Sequence, residues 1–284
     1  MRRTYFYAGV LLGIFLTLPL TAGAAAEMIS LEETSDEVTV CILDSGCNLS
    51  YVQGKNYLDD TQDLTDQEGH GTCVYEILKE TAPDADIYML KCFDSSISLP
   101  QNAQESDEEQ SKDSDAGTAI IQAIYDAVDI YDADIINISW TLNQDSEELH
   151  DAIQYAAKQN VLLVAAAGNL SLSTPLGREV YPAAWKEVIG VSGADLNEQG
   201  EPVSSLWYLQ SNAVFVSADG NYQGEKGSSF AAPRISGVLA KYLSEVLIES
   251  HTKGKAEEYL KKIATDAGDP GYDTTFGWGY VETS

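Results

Sequence analysis

The chain has 284 residues, enough for one large domain or two small ones. It carries 16 Lys and Arg against 45 Asp and Glu, a formal charge of −29. So acidic a surface repels nucleic acid and anionic lipid, which makes both poor partners, and it suits solubility or contact with cationic peptides.

At the N-terminus, Arg2 and Arg3 precede an apolar run over residues 5–20 and then the small residues Ala22, Gly23, Ala24, Ala25 and Ala26. This order reads as an export signal over residues 1–26, cleaved before Glu27. The alternative is an uncleaved membrane anchor at residues 5–20, a run slightly short of the about 20 residues that a span needs. Residues 27–37 form a short segment, and one domain is expected from 38 to 284. Within it, mostly apolar runs at 38–43, 86–92, 134–139, 161–166, 187–192 and 213–216 read as strands. Several are apolar on both faces, as in a parallel sheet covered on both sides. Helical patterns fall between them. After Gly117, apolar groups recur at Ile120, Ile121, Ile124, Ala127, Val128 and Tyr131. Residues 146–159 repeat that spacing with Leu149, Ile153 and Ala156, behind an acidic start that suits a helix N-terminus. A long apolar helix is expected from about Ser229 to about Ile248. Repeated β-then-α order implies one doubly wound α/β domain. Residues 95–115 break the rhythm and read as a long acidic loop.

Cys41, Cys47, Cys73 and Cys92 are an even set, which in an exported chain allows three full pairings. None of their spacings is a zinc pattern. Buried free thiols are the equal alternative. His150 and His251 carry no motif and read as surface residues.

Three short motifs remain. Leu43-Asp44-Ser45-Gly46 follows a buried strand, Gly69-His70-Gly71-Thr72 enters a helical segment, and Gly227-Ser228-Ser229-Phe230-Ala231-Ala232-Pro233 opens the long helix. Each places a reactive side chain at a strand end or helix start, the edge where sites form in open α/β sheets. A Ser hydroxyl is a weak nucleophile until a His takes its proton, and a buried Asp fixes the tautomer of that His. Singly, each residue has a bland explanation as a helix cap or a satisfied core group. In register together they point to acyl-transfer chemistry.

The order Asp, His, Ser, with D-S-G, G-H-G-T and G-x-S-x-A-x-P around them, resembles the subtilisin-like serine proteases, the subtilase family. Ala82-Pro83, Ile136-Asn137-Ile138-Ser139, Ala165-Ala166-Ala167-Gly168-Asn169, Tyr181-Pro182-Ala183 and Phe276-Gly277-Trp278-Gly279 extend the resemblance over about residues 38–282. It implies a three-layer αβα fold with a mostly parallel central sheet, and a serine endopeptidase with Asp44, His70 and Ser229 as its triad. Ser229 takes the nucleophile's place and Ser228 the place usually held by Thr. Asn169 takes the place of the oxyanion donor. Substrate backbone would pair along Ser139, Trp140 and Thr141, with Ala166, Ala167 and Gly168 as the opposite wall.

The departures also carry expectations. Thr141 stands where the family has Gly, which narrows the primary pocket, and Trp140 adds an apolar wall. The stretch between His70 and Ala82 lacks the insertion that forms a tight calcium loop in many relatives. No metal or other cofactor is therefore required, although plentiful carboxylates leave a weaker calcium site open. Only about ten residues separate Glu27 from the first strand, where many relatives carry a folding pro-domain. That favours a dedicated processor of an exported peptide or protein. A general scavenging protease and a catalytically inactive binding module are the alternatives. The implied partner is a peptide or protein substrate, with the chain a monomer, secreted by or held at the surface of a bacterium.

Overall fold

Buried strands alternating with amphipathic helices can cover their apolar faces in few ways. The computed structural model describes residues 37–94, 107–171, 174 and 176–283, and these form three layers, helices on both faces of one sheet. The sheet has eight strands: β1 (Thr39–Asp44), β2 (Gln53–Asn56), β3 (Asp86–Lys91), β4 (Ile135–Ile138), β5 (Leu162–Ala166), β6 (Val188–Leu196), β7 (Pro202–Val203) and β8 (Val216–Asp219). Their order is β2-β3-β1-β4-β5-β6-β7, with β8 also pairing with β6. Every pairing in it is parallel except β6 with β7. This is the αβα, mostly parallel architecture expected from the sequence.

Strand periodicity divides the core in two. On β1, Val40 and Ile42 face a layer made with α1 (His70–Thr81), α4 (Ser228–Glu245) and α5 (Lys253–Ile263). Cys41 and Leu43 face the other layer, made with α2 (Asp107–Asp129) and α3 (Glu147–Lys158). Ser146 caps α3 by accepting a bond from the Leu149 N–H, as its acidic start suggests. Between β8 and α4, the two-stranded hairpin β9 (Asn221–Tyr222) and β10 (Glu225–Lys226) leads into the α4 N-terminus.

Several expectations are corrected. Part of the acidic loop is helix, since α2 begins at Asp107; residues 95–106 lie outside the described residues. Once the packed turns beyond Gly117 exist, each added residue gains a backbone hydrogen bond without needing an apolar stripe. The last long strand is not 213–216 but β8, paired with β6 through Val216, Ser217, Ala218 and Asp219. Small polar residues hide that strand from a hydropathy reading, yet Ser217 is fully buried. The cysteines, left open between disulfides and buried thiols, are all four free thiols, three of them buried, and burial pushes up the pKa of Cys41 and Cys92. His251 is not a surface residue: it is 2% exposed, with Nε2 3.0 Å from the Leu243 carbonyl and Nδ1 3.6 Å from Asp134. His150 is half-buried, stacked on Trp185 at 4.4 Å and 3.1 Å from Glu187. The export signal lies outside the described residues, among which no helix is long and apolar enough to cross a membrane.

The seat of α4 matters most for the site. Asn137, fully buried on β4, accepts a bond from Ser236 Oγ at 2.9 Å and donates to Ser139 Oγ at 3.0 Å, tying helix to strand end. Gly237 lets α4 approach α1, because a Cβ there would lie 2.6 Å from Thr81 Cβ. Helix propensity alone would make Gly237→Ala stabilising by about 1 kcal/mol. The packing reverses the sign: Gly237→Ala should destabilise by about 1–3 kcal/mol, read as a lower denaturant midpoint.

Candidate active site

Parallel neighbours bring their carboxyl ends to one edge of the sheet. Asp44 ends β1, Ser139 follows β4, and Asn169 lies just past β5, on three adjacent strands. His70 starts α1 and Ser229 is the second residue of α4, both on the helical layer beside that edge.

Asp44 is fully buried, and its Oδ1 lies 2.7 Å from His70 Nδ1. The same oxygen accepts the Ser45 N–H at 2.8 Å, with the Ser45 hydroxyl 3.3 Å away. Two glycines permit this closeness. Gly69 begins the helix at φ +79, a left-handed conformation that costs glycine least. A Cβ at Gly71 would lie 2.2 Å from the Gly46 carbonyl and 3.1 Å from Asp44 Oδ1. The His70 side chain is 28% exposed, so one ring edge reaches Asp44 while part of the ring meets solvent.

Burial works against protonation of His70 and is the largest single influence on it. The Asp44 charge and hydrogen bond, with the charges of Asp66 and Glu68, together exceed it, so the pKa lies above the ordinary histidine value.

The α4 N-terminus meets the same place from the other side. The His70 ring lies 5.9 Å from the Phe230 ring, one residue past Ser229, and Phe230 packs at 6.1 Å on Tyr222 of β9. Tyr222 donates its hydroxyl to Glu76 on α1 at 3.0 Å, so hairpin, α1 and α4 are joined. Ser228 is 1% exposed; its Oγ accepts the Gly168 N–H at 3.1 Å, and its N–H donates to Asn169 Oδ1 at 2.9 Å. With its oxygen so engaged, Asn169 presents its amide nitrogen to the other side. A Cβ on Gly227 would sit 2.8 Å from Ser229 Oγ and 3.5 Å from Asn169 Nδ2. Glycine there keeps the space between hydroxyl and amide open.

The expected substrate edge is only partly open. Ser139 is 3% and Trp140 6% exposed, whereas Thr141 is half-buried. The Trp140 indole is not an open wall. It turns into the core and donates to the Leu43 carbonyl at 3.0 Å, tying the end of β4 to the residue before Asp44. Ala166 and Ala167 are buried on opposite faces, and Gly168 (φ +99) turns the chain toward Asn169. Sequence reasoning passed over Ser45, Asp66, Tyr222 and Phe230. Ser45 and Phe230 lie inside the motifs around Asp44 and Ser229, and Asp66 is an acid just ahead of a helix start; Tyr222 had no local signal. Among the described residues, no group of three or more His, Cys, Asp or Glu side chains could hold a metal ion.

A family model described as the subtilase family matches residues 35–279. Minor extracellular protease Epr of Bacillus subtilis (strain 168) is 29% identical over 275 residues, 88% of this chain and 38% of that protein. An intracellular serine protease of Paenibacillus polymyxa is 28% identical, with 72% of this chain aligned to 65% of it. The chain thus matches less than two thirds of either relative's length. Among solved structures, a lanthipeptide protease superposes with a TM-score of 0.66 at 24% identity, covering 86% of this chain and 85% of that one. Fervidolysin from Fervidobacterium pennivorans gives 0.67 at 22%, covering 88% and 42%. These two likenesses bear on the fold.

The Asp44–His70 pair can be tested without any substrate. The His70 ring should titrate above the ordinary histidine range, and Asp44→Asn should lower that value by about 1–3 units. A ¹⁵N titration of the ring nitrogens reads both; an unmoved midpoint would show that Asp44 does not set the charge of His70.

Proposed function

Since the chain belongs to the subtilase family, we propose that it is a serine endopeptidase with Ser229 as nucleophile, His70 as general base and acid, Asp44 as orienting carboxylate and Asn169 as oxyanion donor. The observation that carries this reading is the 2.7 Å contact between a fully buried Asp44 and His70, beside the N-terminus of α4.

The chemistry follows from that contact. Asp44 accepts a hydrogen bond from Nδ1–H, which holds the proton on Nδ1 and so leaves Nε2 as the basic nitrogen of the neutral ring. Nε2 takes the Ser229 hydroxyl proton as Oγ bonds to the scissile carbonyl carbon. The imidazolium that forms is stabilised by Asp44 and, at longer range, by Asp66 and Glu68. The carbonyl oxygen gains negative charge and is met by Asn169 Nδ2 and the Ser229 N–H at the helix N-terminus. Nε2 then gives its proton to the leaving amine, and water, deprotonated in turn by Nε2, releases the acyl group from Ser229. Thr141, half-buried at that edge, would pair with substrate backbone, and the buried Ser139, Ala166, Ala167 and Gly168 would support the edge from behind.

The substrate would be an exported peptide or protein, met outside the cytoplasm after removal of residues 1–26. Basic peptides suit a chain of charge −29 with Glu68 and Asp94 near the site.

A fluorophosphonate probe should label the wild-type protein and not Ser229→Ala. Asn169→Ala should keep its fold and lose turnover by about 10²–10³-fold, the size known for one such donor in subtilisin. A folded wild type that takes no Ser229-dependent label would remove the enzyme reading. In a competition of casein with basic and neutral peptides, the basic peptides should be cut first. Rapid, unselective casein digestion would instead indicate a scavenging protease.

A further inference from the structure

The strongest unexplained feature beside the site is Asp66, which no motif contains. It is 5% exposed, and its carboxylate collects five hydrogen bonds. Oδ1 accepts from Ser45 Oγ at 2.9 Å, Gly69 N at 2.9 Å and Glu68 N at 3.2 Å. Oδ2 accepts from Thr72 N at 2.9 Å and Thr72 Oγ1 at 2.6 Å. The Asp66 N–H is in turn held by Asn48 Oδ1 at 3.0 Å. These bonds depress its pKa against the opposing effect of burial, so it stays ionised through the neutral range.

Two consequences follow. Gly69, the cap position of α1, has no side chain to satisfy the first N–H groups of the helix. Asp66 supplies that capping from three residues upstream, and so sets the start of the helix whose first residue is His70. The second consequence concerns one proton. The Ser45 hydroxyl can donate to Asp66 Oδ1 at 2.9 Å or to Asp44 Oδ1 at 3.3 Å, while its oxygen accepts the Gly71 N–H at 3.0 Å. An ionised Asp66 at the shorter distance wins it. Asp44 Oδ1 then keeps its lone pairs for the Ser45 N–H and His70 Nδ1. That matters because, among the described residues, the bonds to the Asp44 carboxylate converge on Oδ1.

We propose that Asp66 is a positioning residue for the reaction: it caps the helix carrying His70 and draws the Ser45 proton away from Asp44, leaving Asp44 Oδ1 to His70. This rests on the endopeptidase reading of the same site. The charged groups facing His70 are Asp44 from β1 and Asp66 and Glu68 from the segment before α1; on the α4 side it meets the uncharged Phe230 ring.

The test is Asp66→Asn. Its amide would face donors at Ser45, Thr72 and Gly69, and the Ser45 proton would turn to Asp44. Expected are a kcat about tenfold lower, within the ~10²-fold that a small misplacement costs, and a KM within about twofold. The acid limb of kcat/KM should move down by about 0.5 pH unit, less than the shift caused by a directly paired charge. Thr72→Val removes the hydroxyl bond to Asp66 Oδ2 and the one accepted from the Asn48 N–H, but keeps the backbone capping bond, the charge and the Ser45 contact, so it should lower Tm and leave the acid limb in place. A folded Asp66→Asn with an unmoved limb, or a Thr72→Val that moves it equally, overturns the proposal. Should Asp66→Asn not fold, Ser45→Ala carries the test: with no hydroxyl proton left to compete for Asp44 Oδ1, kcat should stay within about twofold of wild type, whereas a fall of about tenfold or more would show that this proton serves Asp44 and would sink the proposal. The His70 ring titration, repeated in the Ser229→Ala background, separates the two ideas. There a downward shift on Asp66→Asn upholds the role of Asp66 even if no peptidase activity is found.

Discussion

A carboxylate sealed inside a protein must be compensated or it will take up a proton. Asp44 is sealed completely, and its bonds converge on one oxygen, with His70 Nδ1 at 2.7 Å as the nearest. Much of the surrounding structure answers this constraint. Gly69 and Gly71 let the start of α1 come close enough for the imidazole to reach. Trp140 closes the opposite side, spending its indole N–H on the carbonyl just before Asp44. Asp66 and Ser45 form the floor, and they fix which proton goes to which carboxylate.

Sheet topology supplies what this pair needs to act. Placing β1 between β3 and β4, with β5 next, lines up the ends that carry Asp44, Ser139 and Asn169. Helix α4 then brings Ser229 to the same edge, and its depth is set by contacts remote from the chemistry. Ser236 bonds Asn137 in the core, and Gly237 accepts the close passage of Thr81. Through Ser228 the helix start grips both Gly168 and Asn169, so Ser229 and Asn169 are held by adjacent residues of one turn. Rigid support of this kind converts a list of suitable side chains into a working geometry.

The two charged anchors pull stability in opposite directions along the pH scale. The raised pKa of His70 makes its protonated form a stabilising one, present below the ordinary histidine value and lost as pH rises through the folded pKa. The lowered pKa of Asp66 stabilises above the ordinary carboxylate value and is lost as pH falls through the folded pKa. Both act together only between those ranges. Under the proposed mechanism His70 acts as the neutral ring, a form that gives up the stabilisation that the imidazolium provides.

By itself, the sequence singled out the candidate site residues and their order. Asp44, His70, Ser229 and Asn169 each sit in a short motif where a strand end, a glycine turn or a helix start is written in adjacent residues. Alternating apolar runs and 3.6-residue periodicity likewise determined the layered α/β class, because both report the local period of the backbone. Tertiary structure alone decided what surrounds them. Trp140 reads as a wall, yet it is buried because its indole finds Leu43, nearly a hundred positions earlier in the chain. His251 reads as surface, yet the ends of α4 and β4 close over it. Residues 107–115 read as loop, yet they extend a helix anchored further on. Asp66 carries only a weak local signal, an acid a few residues ahead of a helix start. Only folding brings it to Ser45 and to the bare N-terminus of α1. Such contacts join residues far apart in the chain, and they depend on strand order and helix depth, which no local pattern encodes.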